Sequence, residues 1–178
     1  NTLSLHDALP IFAEGSLDAA QQTGKLSYDG YKEVWSDEFN GDSLNRADWN
    51  VETHEKGWVN NELQEYVDSD ENIQVKDGKL VINPVKKVTD GDTSSTKEAA
   101  SYTSGRISTQ NKQTFTYGRF ECRAKVPKGQ GYLPAFWLMA NDENVYGQWP
   151  RCGEIDCMEV MGQRSEEHTS ELQSHHDL

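Results

Sequence analysis

The stretch NIQVKDGKLVINPV, residues 72–85, carries its own folding instruction. Asp77 and Gly78 stand as a two-residue turn between two apolar runs, and such turns require positive φ at both central positions, which Asp-Gly supplies. Pairing the runs across this turn sets Val75 opposite Leu80 and Ile73 opposite Ile82, so that the apolar residues share one face. The segment is therefore expected to be an antiparallel hairpin with one side committed to a core.

Other stretches point the same way. In GRFECRAKV, residues 118–126, Phe120, Cys122, Ala124 and Val126 alternate with Arg119, Glu121, Arg123 and Lys125, which predicts a half-buried antiparallel strand. PAFWLMA, residues 134–140, is a short apolar run that fits a strand near the centre of a sheet, although a buried helical turn has the same composition. VTDGDTSSTKEAAS, residues 88–101, reads as a polar loop. Short strands without a convincing amphipathic helix or internal repeat predict an all-β jelly-roll sandwich of two antiparallel sheets, concanavalin-like in form.

The two ends do not share this patterning. Residues 164–174, RSEEHTSELQS, and residues 2–11, TLSLHDALPI, can each be written as codons that resemble a sequencing-library adapter read in frame. Residues 1–11 and 164–178 are accordingly expected to be adapter-like and are set aside from fold reasoning. Residues 12–30 are read as a linker, and residues 31–163 as a partial catalytic domain. On this reading His6, His168, His175 and His176 fall in the flanks and His54 is the one remaining histidine.

Charge narrows the class of partner. The net charge is −13; Asp7 contributes −1 and Arg164, Glu166, Glu167, Glu171 and Asp177 together −3, leaving −9 for the intervening chain. With no basic cluster, nucleic acid is not an expected partner. No stretch approaches the roughly 20 apolar residues of a membrane span, so no membrane partner is expected either. Cys122, Cys152 and Cys157 lack CxxC spacing, which argues against a zinc site; a Cys122–Cys152 bridge and three free thiols both stay open.

GEIDCMEVMG, residues 153–162, carries the chemistry. In a regular strand Glu154 and Asp156 share one face and Ile155 and Cys157 the other, which would send Glu159 into the core. A buried unpaired carboxylate is costly. A single β-bulge near Met158 would return Glu159 to the face of Glu154 and Asp156 and bring Val160 back to the core. Glu154 and Glu159 would then lie about four strand steps apart, roughly 13 Å between Cα atoms at ~3.3 Å per residue. Inward-leaning side chains can reduce that to the ~5–5.5 Å carboxylate separation of retaining glycosidases. Crowded carboxylates also raise one another's pKa, so that one can hold a proton beside its neighbours. Glu154 is expected to be the nucleophile, Asp156 to position it, and Glu159 to serve as acid and then base.

The pattern E-x-D-x-x-E in this strand resembles glycoside hydrolase family 16, in the bulged form of its laminarinase-like endo-β-1,3-glucanases. WSDEFNG, GWVNNELQEY, SGRIST, YGRFECRAKVP and LPAFWLM with GQWPRCGEID are similar to that family's blocks and follow its order. The resemblance implies a jelly roll whose C-terminal part is not in this chain, retaining hydrolysis of β-1,3-glucan or mixed-linkage β-1,3-1,4-glucan, secretion, and a monomer. The activity is expected of the parent gene, with the 178-residue chain alone inactive; a non-catalytic β-glucan-binding module and a hydrolase of another polysaccharide with the same fold are the alternatives. Two departures are Leu133, where many relatives carry Trp, and Cys157, where a branched aliphatic is usual.

By position in the matching blocks, the resemblance implies Trp58, Asn60, Arg106, Trp137 and Trp149 as glucan contacts. Flat aromatic faces suit the C–H faces of sugars. Core packing is an equal expectation for Trp137, a simple ion pair is an alternative for Arg106, and Trp35 and Trp49 are read as core. Trp149, five residues before Glu154, is the preferred cleft residue. His54 is read as a surface residue. The acidic run DSDEN, residues 68–72, lacks an EF-hand's glycine and distal glutamate and is read as a solvated turn. No metal is expected in catalysis; the resemblance leaves room for a structural calcium with Gly78 as a carbonyl ligand.

Overall fold

The computed structural model describes residues 28–87 and 101–161, together with the backbone of Thr2–Leu5. The remainder of the two flanks, most of the 12–30 linker and residues 88–100 of the polar loop lie outside the described residues. The strands are β1 (Thr2–Leu5), β2 (Asn50–Val51), β3 (Gln64–Tyr66), β4 (Ile73–Val75), β5 (Leu80–Ile82), β6 (Val85–Lys87), β7 (Ser101–Ser104), β8 (Ile107–Ser108), β9 (Ala135–Met139) and β10 (Glu154–Glu159). A short helix, α1, covers Glu143–Tyr146 and is capped by the Asp142 side chain.

The Asp77–Gly78 hairpin forms in the expected register: Ile73 pairs with Ile82 and Val75 with Leu80 across β4 and β5. Asp77 and Gly78 have φ of 52° and 67°, the left-handed values such a turn demands. These four residues are buried, and they join Leu44, Trp49, Ile107, Phe136 and Leu138 in one core. Trp35 and Phe39 pack on that core, with Trp35 edge-on to Trp49 at 5.5 Å between ring centroids. Asp37 accepts from the Trp49 indole N–H at 2.8 Å, which satisfies the one polar atom of this buried ring.

The largest sheet has the order β10-β9-β1-β8-β2, and all its pairings are antiparallel. The apolar run 134–140 supplies β9, an interior strand as expected. β1 lies between β8 and β9, so part of the stretch set aside as adapter-like occupies a sheet position; its codon resemblance is a separate matter. A second sheet has the order β3-β7-β6 and includes a parallel β3–β7 pair. Gly105, at the turn from β7 to β8, is where the chain presses on the hairpin: a Cβ there would meet Ile73 Cγ1 at 2.5 Å. Only glycine fits, and Arg106 follows it directly.

One predicted strand is absent. Residues 118–126 alternate as expected, with Phe120, Cys122, Ala124 and Val126 turned inward and their charged neighbours outward, yet they join no ladder among the described residues. Alternation reports which side a residue packs on, whereas a strand also needs a hydrogen-bonding partner. The acidic run is likewise only partly solvated. Asp68 accepts two bonds from Arg46, at 2.6 and 3.0 Å, while Asn72 is buried and donates to the Asn83 carbonyl and to Thr103 Oγ1. Cys122, Cys152 and Cys157 are all free thiols, so the Cys122–Cys152 bridge is not formed.

Candidate active site

The carboxylate strand carries the bulge that its sequence demanded. Glu154 pairs with Met139, Ile155 with Leu138 and Asp156 with Trp137; the register then slips, and Met158 pairs with Phe136 and Glu159 with Ala135. Residues directly opposite in an antiparallel ladder project to the same side. Glu154, Asp156 and Glu159 therefore share the face of Met139, Trp137 and Ala135, while Met158 turns with Phe136 toward the core. The extra residue is Cys157, which packs against the core cluster with Met158. Ile155 also takes the inner side, although β10 is the outermost described strand and leaves it 55% exposed.

The three acids perturb one another. Burial first, and the Asp156 charge second, raise the Glu159 pKa above its ordinary value. Glu154 is raised by the same two causes in the same order, with a smaller contribution from Glu159. Against this, the Trp149 side chain hydrogen-bonds Glu154 and favours its charged form. A side-chain hydrogen bond with Asp156 adds to the upward shift of Glu154. The site thus combines two acids, Glu154 and Glu159, that are both pushed upward by burial and by the Asp156 charge.

Trp149 stands beside Glu154 and is 58% exposed, the position expected of a cleft aromatic. Trp137 is only 8% exposed; it lies on the carboxylate face, with the Arg106 guanidinium 4.8 Å from its ring centroid. Arg106 also lies 5.2 Å from the Trp58 ring centroid and 6.0 Å from that of Tyr66. It makes the ion pair held open as an alternative: Nε donates to Glu52 Oε2 at 2.5 Å, with the Arg106 side chain 12% exposed. Trp58 is 47% exposed on the turn that follows Glu55. Asn60 sits exposed on the same turn with φ of 52°, set apart from the contacts that join Arg106, Trp58 and Trp137. Leu133 is exposed just before β9.

Three residues of this site were not expected from sequence. Glu52 bridges Arg106 and His54, whose Nε2 lies 3.3 Å from the same carboxylate oxygen. Burial alone would raise the Glu52 pKa; the Arg106 charge and hydrogen bonds from Ser108, Arg106 and His54 overcome it and hold the carboxyl below its ordinary value. His54 was read as a surface residue, but its ring is half-buried and stacks on Trp58, with centroids 3.5 Å apart and planes 8° from parallel. Tyr66 closes the group; burial, then the Glu62 charge, push its phenol up to about 12. The one signal for Glu52 and His54 was their spacing of two, which puts both on one face of an extended segment.

A family model described as "Beta-porphyranase A-D, GH16 domain" matches residues 31–177. The chain belongs to glycoside hydrolase family 16. It is 46% identical over 135 residues to a glucan endo-1,3-beta-glucosidase of Cryptopygus antarcticus, covering 75% of this chain and 47% of that protein. It is 42% identical over 143 residues to glucan endo-1,3-beta-glucosidase A1 of Niallia circulans, covering 75% of this chain and 20% of that protein. Among solved structures, the laminarinase from Rhodothermus marinus superposes with a TM-score of 0.62 at 40% identity, covering 72% of this chain and 49% of that one. The family 16 chain thus spans half or less of the length of these relatives, and its fold class is their all-β jelly roll.

Proposed function

We propose that this chain is the catalytic-strand half of a retaining endo-glycosidase that hydrolyses β-1,3-glucan, laminarin-like, or mixed-linkage β-1,3-1,4-glucan. The observation that carries the reading is the bulge in β10, which brings Glu154, Asp156 and Glu159 to one face beside Trp149, Trp137 and Arg106. The names of the relatives agree with it.

In the proposed reaction the ionised Glu154 attacks the anomeric carbon while Glu159 gives its proton to the departing glycosidic oxygen. The C–O bond breaks, and the sugar is held as an ester of Glu154. Water then attacks the same carbon, Glu159 takes the water's proton, and the Glu154 carboxylate is released. The raised pKa of Glu159 suits a group that must begin protonated. The Trp149 hydrogen bond suits a Glu154 that must begin ionised, and Asp156 positions it. Trp58, Asn60, Arg106, Trp137 and Trp149 are assigned to holding the glucan.

A polysaccharide substrate is cut where it is found, so the enzyme is placed outside the cell. It is taken to act as a monomer, without nucleic acid or a membrane as partner. Calcium has no part in the reaction. Room is left for a structural calcium, with the Gly78 carbonyl as one ligand. A second reading, a hydrolase of another polysaccharide, draws on the porphyranase description of the matching family model.

The test is reducing-end release from laminarin by the full-length protein. Glu154→Gln is expected to lower it by at least about 10³-fold while laminarin binding persists. Unchanged turnover in that variant would remove Glu154 from the chemistry. Activity confined to a galactan would favour the second reading.

A further inference from the structure

Trp58 sits on a turn, and a loop-borne indole needs a brace before it can serve as a rigid sugar platform. The brace is visible. The His54 imidazole lies flat against Trp58, and its own backbone is pinned by two bonds to Tyr66, His54 N–H to the Tyr66 carbonyl at 3.0 Å and the reverse at 2.9 Å. The Tyr66 ring meets the imidazole edge-on at 6.3 Å between centroids. The far end of the imidazole reaches Glu52 Oε2, the oxygen that also receives Arg106 Nε. Glu52 is fixed in turn by its own backbone N–H, which donates to the Arg106 carbonyl at 2.9 Å.

A continuous set of contacts therefore runs from Trp58 through His54 and Glu52 to Arg106, then to Trp137, which pairs with Asp156 on the catalytic strand. We propose that His54 is a positioning residue: its ring, anchored on the Glu52 carboxylate, holds Trp58 at the angle needed to stack a glucose unit of the glucan. Glu52 serves both ends, holding Arg106 by charge and His54 by hydrogen bond. This inference rests on the glycosidase reading, since it concerns how that site grips its polymer.

The test uses the full-length protein with laminarin, read by steady-state kinetics, affinity electrophoresis and thermal melting. His54→Ala removes the stack and is expected to raise KM and weaken binding by about threefold to tenfold, the worth of one aromatic pair, with kcat changed less than about twofold. His54→Phe keeps a flat ring but lacks the Glu52 anchor and is expected to restore only part of the loss. A His54→Ala variant with parental KM and parental binding overturns the proposal, whether or not its melting temperature falls. So does a loss confined to kcat. If the parent binds laminarin without cutting it, the hydrolase reading fails and the binding comparison alone decides the role of His54. If the parent neither binds nor cuts laminarin, the glucan reading and this inference fall together.

Discussion

The bulge in β10 can be tested by changing its length. Between Glu154 and Glu159 the chain takes five steps, while the facing strand takes four, from Met139 to Ala135. Deleting Cys157 removes the surplus. The remaining residues still pair as Glu154 with Met139, Asp156 with Trp137, Met158 with Phe136 and Glu159 with Ala135, so every carboxylate keeps its face. The separation of Glu154 and Glu159 stays at four strand steps, about 13 Å between Cα atoms. What is lost is the packing of one half-buried side chain and the local twist, about 1–3 kcal/mol of stability. Activity on laminarin is therefore expected to survive within about tenfold, because no acid has left the site. Inserting one alanine between Met158 and Glu159 does the opposite: the alanine takes the place opposite Ala135, and Glu159 turns to the core side. Losing the acid and base should cost about 10²–10⁴-fold in kcat. Reducing-end kinetics on the two full-length variants, with circular dichroism to certify the fold, measure the contrast. If both variants fold and lose activity equally, the argument from register is wrong.

Two further outcomes follow from the acids. Because the Glu159 pKa is raised in the folded state, the folded chain binds that proton more tightly than the unfolded one; the stability this provides is complete below the ordinary value of 4.5 and is lost as pH rises through the folded pKa. Glu159→Gln cannot ionise, so it should melt higher than the parent near pH 7 and at the same temperature near about pH 4, read by calorimetry across pH. Trp149→Phe keeps a ring but removes the hydrogen bond that favours ionised Glu154; the acidic limb of the kcat/KM profile should move toward neutral pH, and an unmoved limb would dissociate Trp149 from Glu154.

Much of this site was legible in the sequence because local rules left one solution. Asp-Gly between two apolar runs permits one hairpin register, and that register is present. Three carboxylates with five-step spacing and an apolar Val160 can all be accommodated only by a bulge, and the bulge lies between Asp156 and Met158. Trp35 and Trp49, expected in the core, are there, and the fold adds Asp37 as the partner of the Trp49 indole N–H. Residues 118–126 show where such reasoning stops: alternation located the inward side chains but said nothing of a ladder partner, which is decided by distant chain. His54 was misread for a related reason. Its stacking partner, Trp58, is four residues away along an irregular turn, where no period relates the two rings. The Glu52–Arg106 pair spans 54 positions, and Arg106 could only be given an unspecified acid as partner until the fold brought β2 beside β8.

The central claim is that Glu154 and Glu159 act as nucleophile and acid on one face of β10. Proton NMR of the first products released from laminarin by the full-length protein tests it most directly, because two successive displacements at the anomeric carbon preserve its configuration. The account predicts that the β-anomer appears first and mutarotates afterwards. Initial appearance of the α-anomer would mean a single displacement by water and would contradict a covalent role for Glu154.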